Sequence, residues 1–542
     1  MPTVWVMGDQ LHRGLGALRD ADPSTHRVLL VESAAKLESK RWHVQRAHFV
    51  VTAMRRFADE LRDAGFEVDH RRAPTLRDGW RAHVEEHSPS EVVATEPASW
   101  DGLELLRSLD VVLVRSNQFL CHYDDFAEWA AGRTRLKMED FYRWQRRRLG
   151  YLMEPGDDPD DPATAQPVTG RWNYDDENRQ PPPKSGSPWP APQTSRLDDL
   201  DREVLADLPG HCWGAEPDGT WATSRRAALA RLRHFVDDVL PMFGPHEDAM
   251  VERSWHLAHS VLSPYLNIGL LLPGEVCDAV QDAYDAGRVD IASAEGFIRQ
   301  VIGWREYVWG VYWLWMPDYR SRNALGADRP VPPVFRGEVG TDMNCVHHCM
   351  STLHDYAYNH HIQRLMVLGN LAMLHGVDPW AMTDWMWSSF VDGAEWVMLP
   401  NVIGMSQWAD GGMMATKPYA AGGNYIDKMS DYCSGCRYDR TQRVGDDACP
   451  FTTLYWDFLA RHHDRLVSNP RMARQVRASE RLSDLPAVRE RADEVRAMLD
   501  DGPLGRCPIH TPTHSGSPPH QRTATNRSST WHCPRTGSRR SS

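Results

Sequence analysis

Ten cysteines are spread over 542 residues, and three of them form a pattern with chemical meaning: Cys433-x2-Cys436-x12-Cys449, with Pro450 directly after the last. Soft thiolates at that spacing suit a tetrahedral sulfur site, either zinc or an iron–sulfur cluster. A fourth ligand must come from elsewhere. Cys345 and Cys349, about one helical turn apart, are the nearby candidates. Zinc ribbons show two CxxC pairs and this chain has one, while a proline after the last cysteine is common in cluster motifs, so the spacing favours a cluster over zinc. The plainer alternative is three buried thiols packing as small hydrophobes, and the CxxC pair argues against it.

Four other groupings could carry chemistry. In His259-Ser260-Val261-Leu262-Ser263-Pro264-Tyr265, small hydroxyls and backbone amides before a helix make an anion site, or a simple Ser-Pro helix start. Gly303-Trp304-Arg305-Glu306-Tyr307, with Trp309, Trp313 and Trp315, reads as core or as a face for a flat heteroaromatic ring. Tyr358-Asn359-His360-His361-Ile362-Gln363-Arg364 holds two adjacent histidines. On a helix these point in different directions, so one faces a given pocket, where imidazole delivers a proton near neutrality. Asp392-Gly393-Ala394-Glu395-Trp396 and Leu399-Pro400-Asn401 offer carboxylates and an amide between helices.

The elements that position these residues are legible from periodicity. Over 1–130, short apolar runs (Val4–Met7, Val28–Glu32, Val68–Arg71, Glu91–Thr95, Val111–Val114) alternate with amphipathic stretches. Ala47, Val50, Met54, Phe57 and Leu61 make one apolar helical face. That alternation predicts an α/β doubly wound parallel sheet. The turn after the first strand reads Met7-Gly8-Asp9-Gln10-Leu11, so no dinucleotide fingerprint is present. Residues 131–197 lead through a Pro-, Gly- and Asp-rich linker. Residues 198–500 are predominantly helical, with helices expected over Ser224–Leu240, Gly296–Trp315, Tyr356–Leu374, Trp380–Phe390 and 479–501. Residues 501–542, rich in Ser, Thr, Pro, His and Arg, read as a disordered tail.

Composition narrows the classes. A net charge of −13 excludes indiscriminate coating of nucleic acid but leaves room for a local basic groove such as Arg143, Arg146, Arg147 and Arg148, a run that fits a solvated helix face or contacts to the linker equally well. Lysine is scarce beside arginine. No apolar run reaches the roughly 18 residues of a membrane span, and MPTVWVMGDQLHRG reads as a first strand and not as a leader. A cytoplasmic chain with no membrane contact is the expectation.

GDQL at residues 8–11, KMEDFYRWQRRRL, LSPYLNIGLL, IRQVIGWREYVWG, YAYNHHIQRLMVLGN, LPNVIGM, KPYAAGGNYI and MSDYCSGCRYD…ACPF occur in that order. Together they resemble the photolyase/cryptochrome superfamily, in its prokaryotic branch with an iron–sulfur cluster, which includes bacterial (6-4) photolyases. The resemblance implies an antenna domain (1–130), a linker (131–197) and a large all-α domain (198–500) holding FAD and a [4Fe–4S] cluster. It selects Cys345 over Cys349 as the partner of Cys433, Cys436 and Cys449, from the segment Met343-Asn344-Cys345 fifteen residues before His360. Ser260, Leu262 and Ser263 resemble the flavin phosphate-binding turn, Asn401 the residue facing the flavin N5, and Glu395 the acid near the ring system, with Asp392 beside it. Arg364 would pair with one of those carboxylates. His361 matches the lesion-facing histidine next to His360, Tyr419 a pocket aromatic, and Trp385 the flavin-proximal tryptophan. Met386, Ala394 and Phe335 stand where the family often has aromatics of an electron-hopping path; Trp380, Trp387 and Trp396 are the available substitutes. For the family's usual ribityl-lumazine antenna, Asp9, Gln10 and Glu32 are the polar contacts.

The function so implied is light-driven repair of (6-4) photoproducts in UV-damaged DNA by a monomeric enzyme. The alternatives are a cryptochrome with the same cofactors, which would signal instead of repair, and a non-enzymatic nucleic-acid module, against which the intact α/β segment speaks.

Overall fold

The computed structural model describes residues 1–158, 161–183 and 189–502. Five parallel strands, β1 (Thr3–Val6), β2 (Arg27–Ser33), β3 (Glu67–Ala73), β4 (Val92–Thr95) and β5 (Val112–Val114), form one sheet in the order β3-β2-β1-β4-β5. Alternation along the strands splits the sheet's side chains between two cores. Val4, Val6, Val28 and Leu30 join the large core that continues into the helical domain. Trp5, Leu29, Val31 and Ala94 form a second core with Leu106, Leu109 and Val111 on the opposite face. The helix Val44–Asp63 lies on the first face and buries Ala47, Met54, Phe57 and Leu61. The expected doubly wound α/β sheet is therefore what these runs build.

Helices dominate from Asp199 onward. The helix Asp199–Asp207 opens with a capping box between Asp198 and Asp201 and is clamped to the helix Val44–Asp63. Arg56 bonds Asp198 and Asp201, and Arg55 reaches Glu203 and Asp207 while also chelating Glu32.

The expected helix over Tyr356–Leu374 is corrected. The helix Asn344–Tyr356 stops at Ala357, which takes a left-handed φ of 52° as C-cap. Tyr358, Asn359 and His360 follow outside any helix, and a helical stretch resumes at His361. No glycine or proline marks this break, so periodicity runs through it unbroken. The charged stretch 479–501 likewise divides: its main helix is Leu485–Asp501, preceded by the shorter Ala473–Ser479. The tail expected at 501–542 lies almost wholly outside the described residues, which end at Gly502.

Candidate functional site

The break at Ala357 has a consequence for the histidines. His360 is 1% exposed, stacks on His259 at 4.4 Å between ring centroids, and has no hydrogen-bond partner on either ring nitrogen. Nε2 of His259 and Oδ1 of Asn359 are also buried without partners. Burial together with neighbouring histidines and Arg364 pushes His360 well down and His259 to about 3, so both rings are neutral. His361, one residue on, is an exposed residue. Desolvation and then the Arg364 guanidinium lower it to about 4.

Arg364 lies in the π-helical turn Gln363–Gly369 and donates through both terminal nitrogens to Asp392, at 2.9 and 3.1 Å. Its Nε donates to the carbonyl of Asn359 at 2.6 Å, which anchors the irregular histidine segment. Asp392 also accepts from the Ser263 hydroxyl at 2.7 Å, and its carbonyl accepts from Asn267 at 2.8 Å. The turn ahead of Ser263 is strained: Val261, a β-branched residue, has φ of 49°. Ser260 and Leu262 flank it, and the Ser260 hydroxyl accepts from the Leu262 amide at 3.4 Å. Asn401 opens a second π-helical turn, Asn401–Ser406, with its amide on the Val397 carbonyl. Such turns recur at functional sites because they re-aim side chains without ending the helix. The structure thus brings Ser263, Arg364, Asp392, His360 and His361 together. Glu395 accepts from Arg320, whose second carboxylate partner is Asp101.

Tyr419 is half-buried; burial raises its phenol, and Asp248 acts on both it and Tyr425. Trp385 donates to the Phe335 carbonyl at 2.9 Å and stacks on the Phe335 ring at 5.0 Å. Its other ring neighbour is Phe390. Trp396 belongs to a separate aromatic cluster with Phe119 and Trp309, and Trp387 packs edge-on against Trp42. Trp380 and Trp387 line a cleft between the sheet and the helices, with Lys36, Lys40, Arg77 and Arg320.

The cysteines converge on one small cavity lined by Cys345, Cys433, Cys436 and Cys449; Cys349 is not in its lining. Cys345 is the second residue of the helix Asn344–Tyr356, and Cys449 stands at the N-cap of the helix Pro450–Arg461, where the amides of Phe451 and Thr452 oppose the upward push of burial on its thiol. Helix N-terminal amides favour thiolate over thiol. Asn344 donates to the Tyr432 carbonyl at 2.9 Å, locking the first helix to the turn Tyr432–Gly435 that carries Cys433. Burial raises all three thiols Cys345, Cys433 and Cys449, Cys433 to about 12. Holding these three sulfurs as thiolates requires a cation among them. The space is kept open: a Cβ on Gly423 would stand 2.9 Å from the Cys449 sulfur. A single zinc with bonds of about 2.3 Å needs sulfurs roughly 3.8 Å apart. Among the described residues no three of these sulfurs lie within 4.8 Å of one another.

Two groups of expected contacts are otherwise engaged. Arg146 is fully buried and donates to the carbonyls of Tyr151, Leu152 and Trp172, while Arg147 lies over the Trp172 ring. Arg146 and Arg147 therefore hold the start of the linker, because a buried guanidinium such as that of Arg146 satisfies several orphan carbonyls at once, while Arg148 turns to Gln145 and Leu120. Glu32 is chelated by Arg55 at 2.8 and 2.9 Å and touched by His70 at 2.9 Å, and the Gln10 amide donates to the Glu96 carbonyl. Asp9 remains as a buried carboxyl, raised by desolvation and opposed by Lys36 and Arg46.

Comparison with known proteins agrees with this architecture. The family description "Deoxyribodipyrimidine photo-lyase-related protein" matches residues 4–214. A protein of Agrobacterium fabrum named "(6-4) photolyase" is 42% identical over 497 residues, covering 89% of this chain and 96% of that protein. Among solved structures, a bacterial class III photolyase from Agrobacterium tumefaciens superposes with a TM-score of 0.54 at 17% identity, over 92% of this chain and 97% of that one. A cryptochrome from Synechocystis sp. PCC6803 gives 0.50 at 16% identity, over 74% and 82%. No helix among the described residues is long and apolar enough to cross a membrane.

Proposed function

The chain belongs to the photolyase/cryptochrome superfamily, and from that premise we propose that it repairs (6-4) pyrimidine photoproducts in DNA under light, with FAD as its cofactor. When bound and reduced, the flavin would lend an electron under light to the two joined pyrimidines of one strand and recover it once the bond between them has broken, so that the repair is redox-neutral. The protein's part is to hold the flavin, admit the lesion and manage protons. Buried, unpaired polar atoms on His360, His259 and Asn359 are the donors and acceptors that a large polar heterocycle would satisfy. The Ser263–Asp392–Arg364 network fixes the wall of that site, since each polar group in it is already bonded in the required direction.

The observation that carries the repair reading is His361, an exposed histidine beside a locked guanidinium. Lowered to about 4, it is neutral in the free protein at pH 7. An anionic ligand acts oppositely to Arg364 and raises its affinity for a proton. Proton delivery to the lesion is therefore a property of the DNA complex. The lesion has to leave the helical stack to reach this ring.

We assign the four-cysteine cavity to a [4Fe–4S] cluster, supported by the convergence of its four cysteines and the two helix N-termini. Its role is to join the helix Asn344–Tyr356, which leads into the histidine segment, to the C-terminal helices. For a ribityl-lumazine antenna, Asp9 and Gln10, whose Oε1 is buried without a partner, are the proposed contacts left available.

The deciding experiment gives the protein with reduced flavin a (6-4)-containing oligonucleotide under blue light and in darkness. Light-dependent loss of the lesion, abolished in His361→Ala, is expected. Tight binding without turnover in wild type would overturn repair in favour of signalling.

A further inference from the structure

At the outer edge of the sheet, apart from the cysteine cavity and the histidine segment, a second set of metal-type donors converges. Asp69 on β3 and His83 and His87 on the helix Leu76–His87 bring one carboxylate oxygen and two imidazole nitrogens within 4.8 Å of one another. Among the described residues no other group of three His, Cys, Asp or Glu donors is so close. The cause is local. Residues four apart share a helix face, and this face lies against β3, the edge strand. His83 Nδ1 is 2.6 Å from Asp69 Oδ2, His87 Nε2 is 3.3 Å from the same oxygen, and the two rings are 4.9 Å apart. Glu86 offers a further oxygen 3.8 Å from His87 Nε2.

The far side of the buried ring is also prepared. His83 is fully buried, and its Nε2 lies 2.9 Å from the hydroxyl of Thr3, which is itself fully buried on β1. A ligating histidine needs a partner on its second nitrogen to fix tautomer and ring plane. Without an ion, the 2.6 Å contact puts the hydrogen on Nδ1, donated to Asp69, and Nε2 accepts from the Thr3 hydroxyl; an ion at Nδ1 displaces that hydrogen, and Nε2–H then donates to the same hydroxyl.

We propose that Asp69, His83 and His87 form a structural site for a first-row divalent cation, zinc by the donor set of two imidazoles and a carboxylate, with Glu86 as the nearest further donor. Without the ion, Arg71 takes its place: Nε is 2.6 Å from Asp69 Oδ2 and Nη2 is 2.7 Å from Glu86 Oε2. Ligand bonds of about 2.0–2.1 Å set neighbouring donors roughly 3.3 Å apart. Entry of zinc therefore needs Asp69 to separate from His83 by a fraction of an ångström, within reach of a side-chain rotation. The ion would tie the edge strand to the helix covering it and relieve Arg71 of neutralising two carboxylates.

The test titrates zinc into the full-length purified protein and counts zinc and iron per chain after dialysis, alongside the thermal midpoint. Wild type is expected to retain one zinc with its iron undiminished, and to melt at a higher temperature with zinc than without. His87→Gln, at a partly exposed ring, is expected to weaken zinc binding by about tenfold or more. Arg71→Ser, which removes the competing cation, is expected to tighten it. Zinc that is lost in Cys433→Ser but kept in His87→Gln resides at the cysteines and overturns the proposal. Failure of both wild type and Arg71→Ser to retain zinc overturns it equally.

Discussion

Arg364 and Asp392, twenty-eight residues apart in sequence, meet in a two-pronged ion pair at 2.9 and 3.1 Å, with the Ser263 hydroxyl completing the carboxylate. Both side chains are largely buried, at 14% and 8% exposure. Removing one partner leaves a buried charge uncompensated, which costs about 3–5 kcal/mol. Asp392→Ala is therefore expected to lower the unfolding midpoint markedly and to empty the site of flavin. The flavin-to-protein absorbance ratio and a denaturant titration check this. Arg364→Ala should behave similarly, and an unchanged flavin content in both would remove this pair from the site.

The cysteine cavity makes a sharper prediction because two cysteines one turn apart differ in role. Cys345 lines the cavity; Cys349 does not, and its carbonyl is bonded by Asn359. Cys345→Ser is expected to lose iron and the broad visible absorption of a cluster, whereas Cys349→Ser keeps both. Iron and acid-labile sulfide per chain give the answer. Equal loss in the two variants would contradict the ligand set.

These residues also show which parts of the site a sequence exposes. Strands such as Arg27–Ser33 were legible because a doubly covered parallel strand is a short apolar run that stands out from amphipathic neighbours. Cys433 and Cys436 were legible because their spacing is local. The choice between Cys345 and Cys349 was not, since helical periodicity says that they lie near one another but not which faces the other cysteines; resemblance to a family supplied it. Arg146 stayed open between phosphates and the linker, because a basic run looks alike whether it meets phosphates or linker carbonyls; its bond to the Trp172 carbonyl selects the linker. The Asp69–His83–His87 group escaped notice although His83 and His87 carry the i, i+4 signal, since its third donor comes from a strand fourteen residues upstream.

Phe335 stacked on Trp385 bears on how the flavin is reduced. Phenylalanine is far harder to oxidise than tryptophan, so an electron relay through Trp385 has no oxidisable ring at its next contact. Phe335→Trp is expected to accelerate photoreduction of the oxidised flavin by external thiol, with repair by chemically reduced enzyme unchanged. Transient absorption at the tryptophanyl-radical band follows it. Slower or equal photoreduction in Phe335→Trp would mean that electrons reach the flavin by another route, such as the Trp396–Trp309 cluster.

Glu32 gives a pH-dependent stability with a defined sign. Burial raises its carboxyl, but hydrogen bonds from Arg55 and His70 outweigh that and leave it at about 2, against an ordinary 4.5. A carboxyl held lower in the folded state than in the unfolded one contributes stability that is complete above the unfolded value. That contribution fades as pH falls from about 4.5 through about 2, because the unfolded chain takes up the proton first. The shift corresponds to about 3 kcal/mol at neutral pH, and the side chain is only 6% exposed, so solvent screens little of it. Glu32→Gln keeps the shape but leaves Arg55 to Glu203 and Asp207 alone. It is expected to lower the urea midpoint clearly at pH 7 and to approach wild type near pH 2.5. A gap between the two proteins that stays constant over this range would show that the pairing of Glu32 with Arg55 contributes through packing and not through charge.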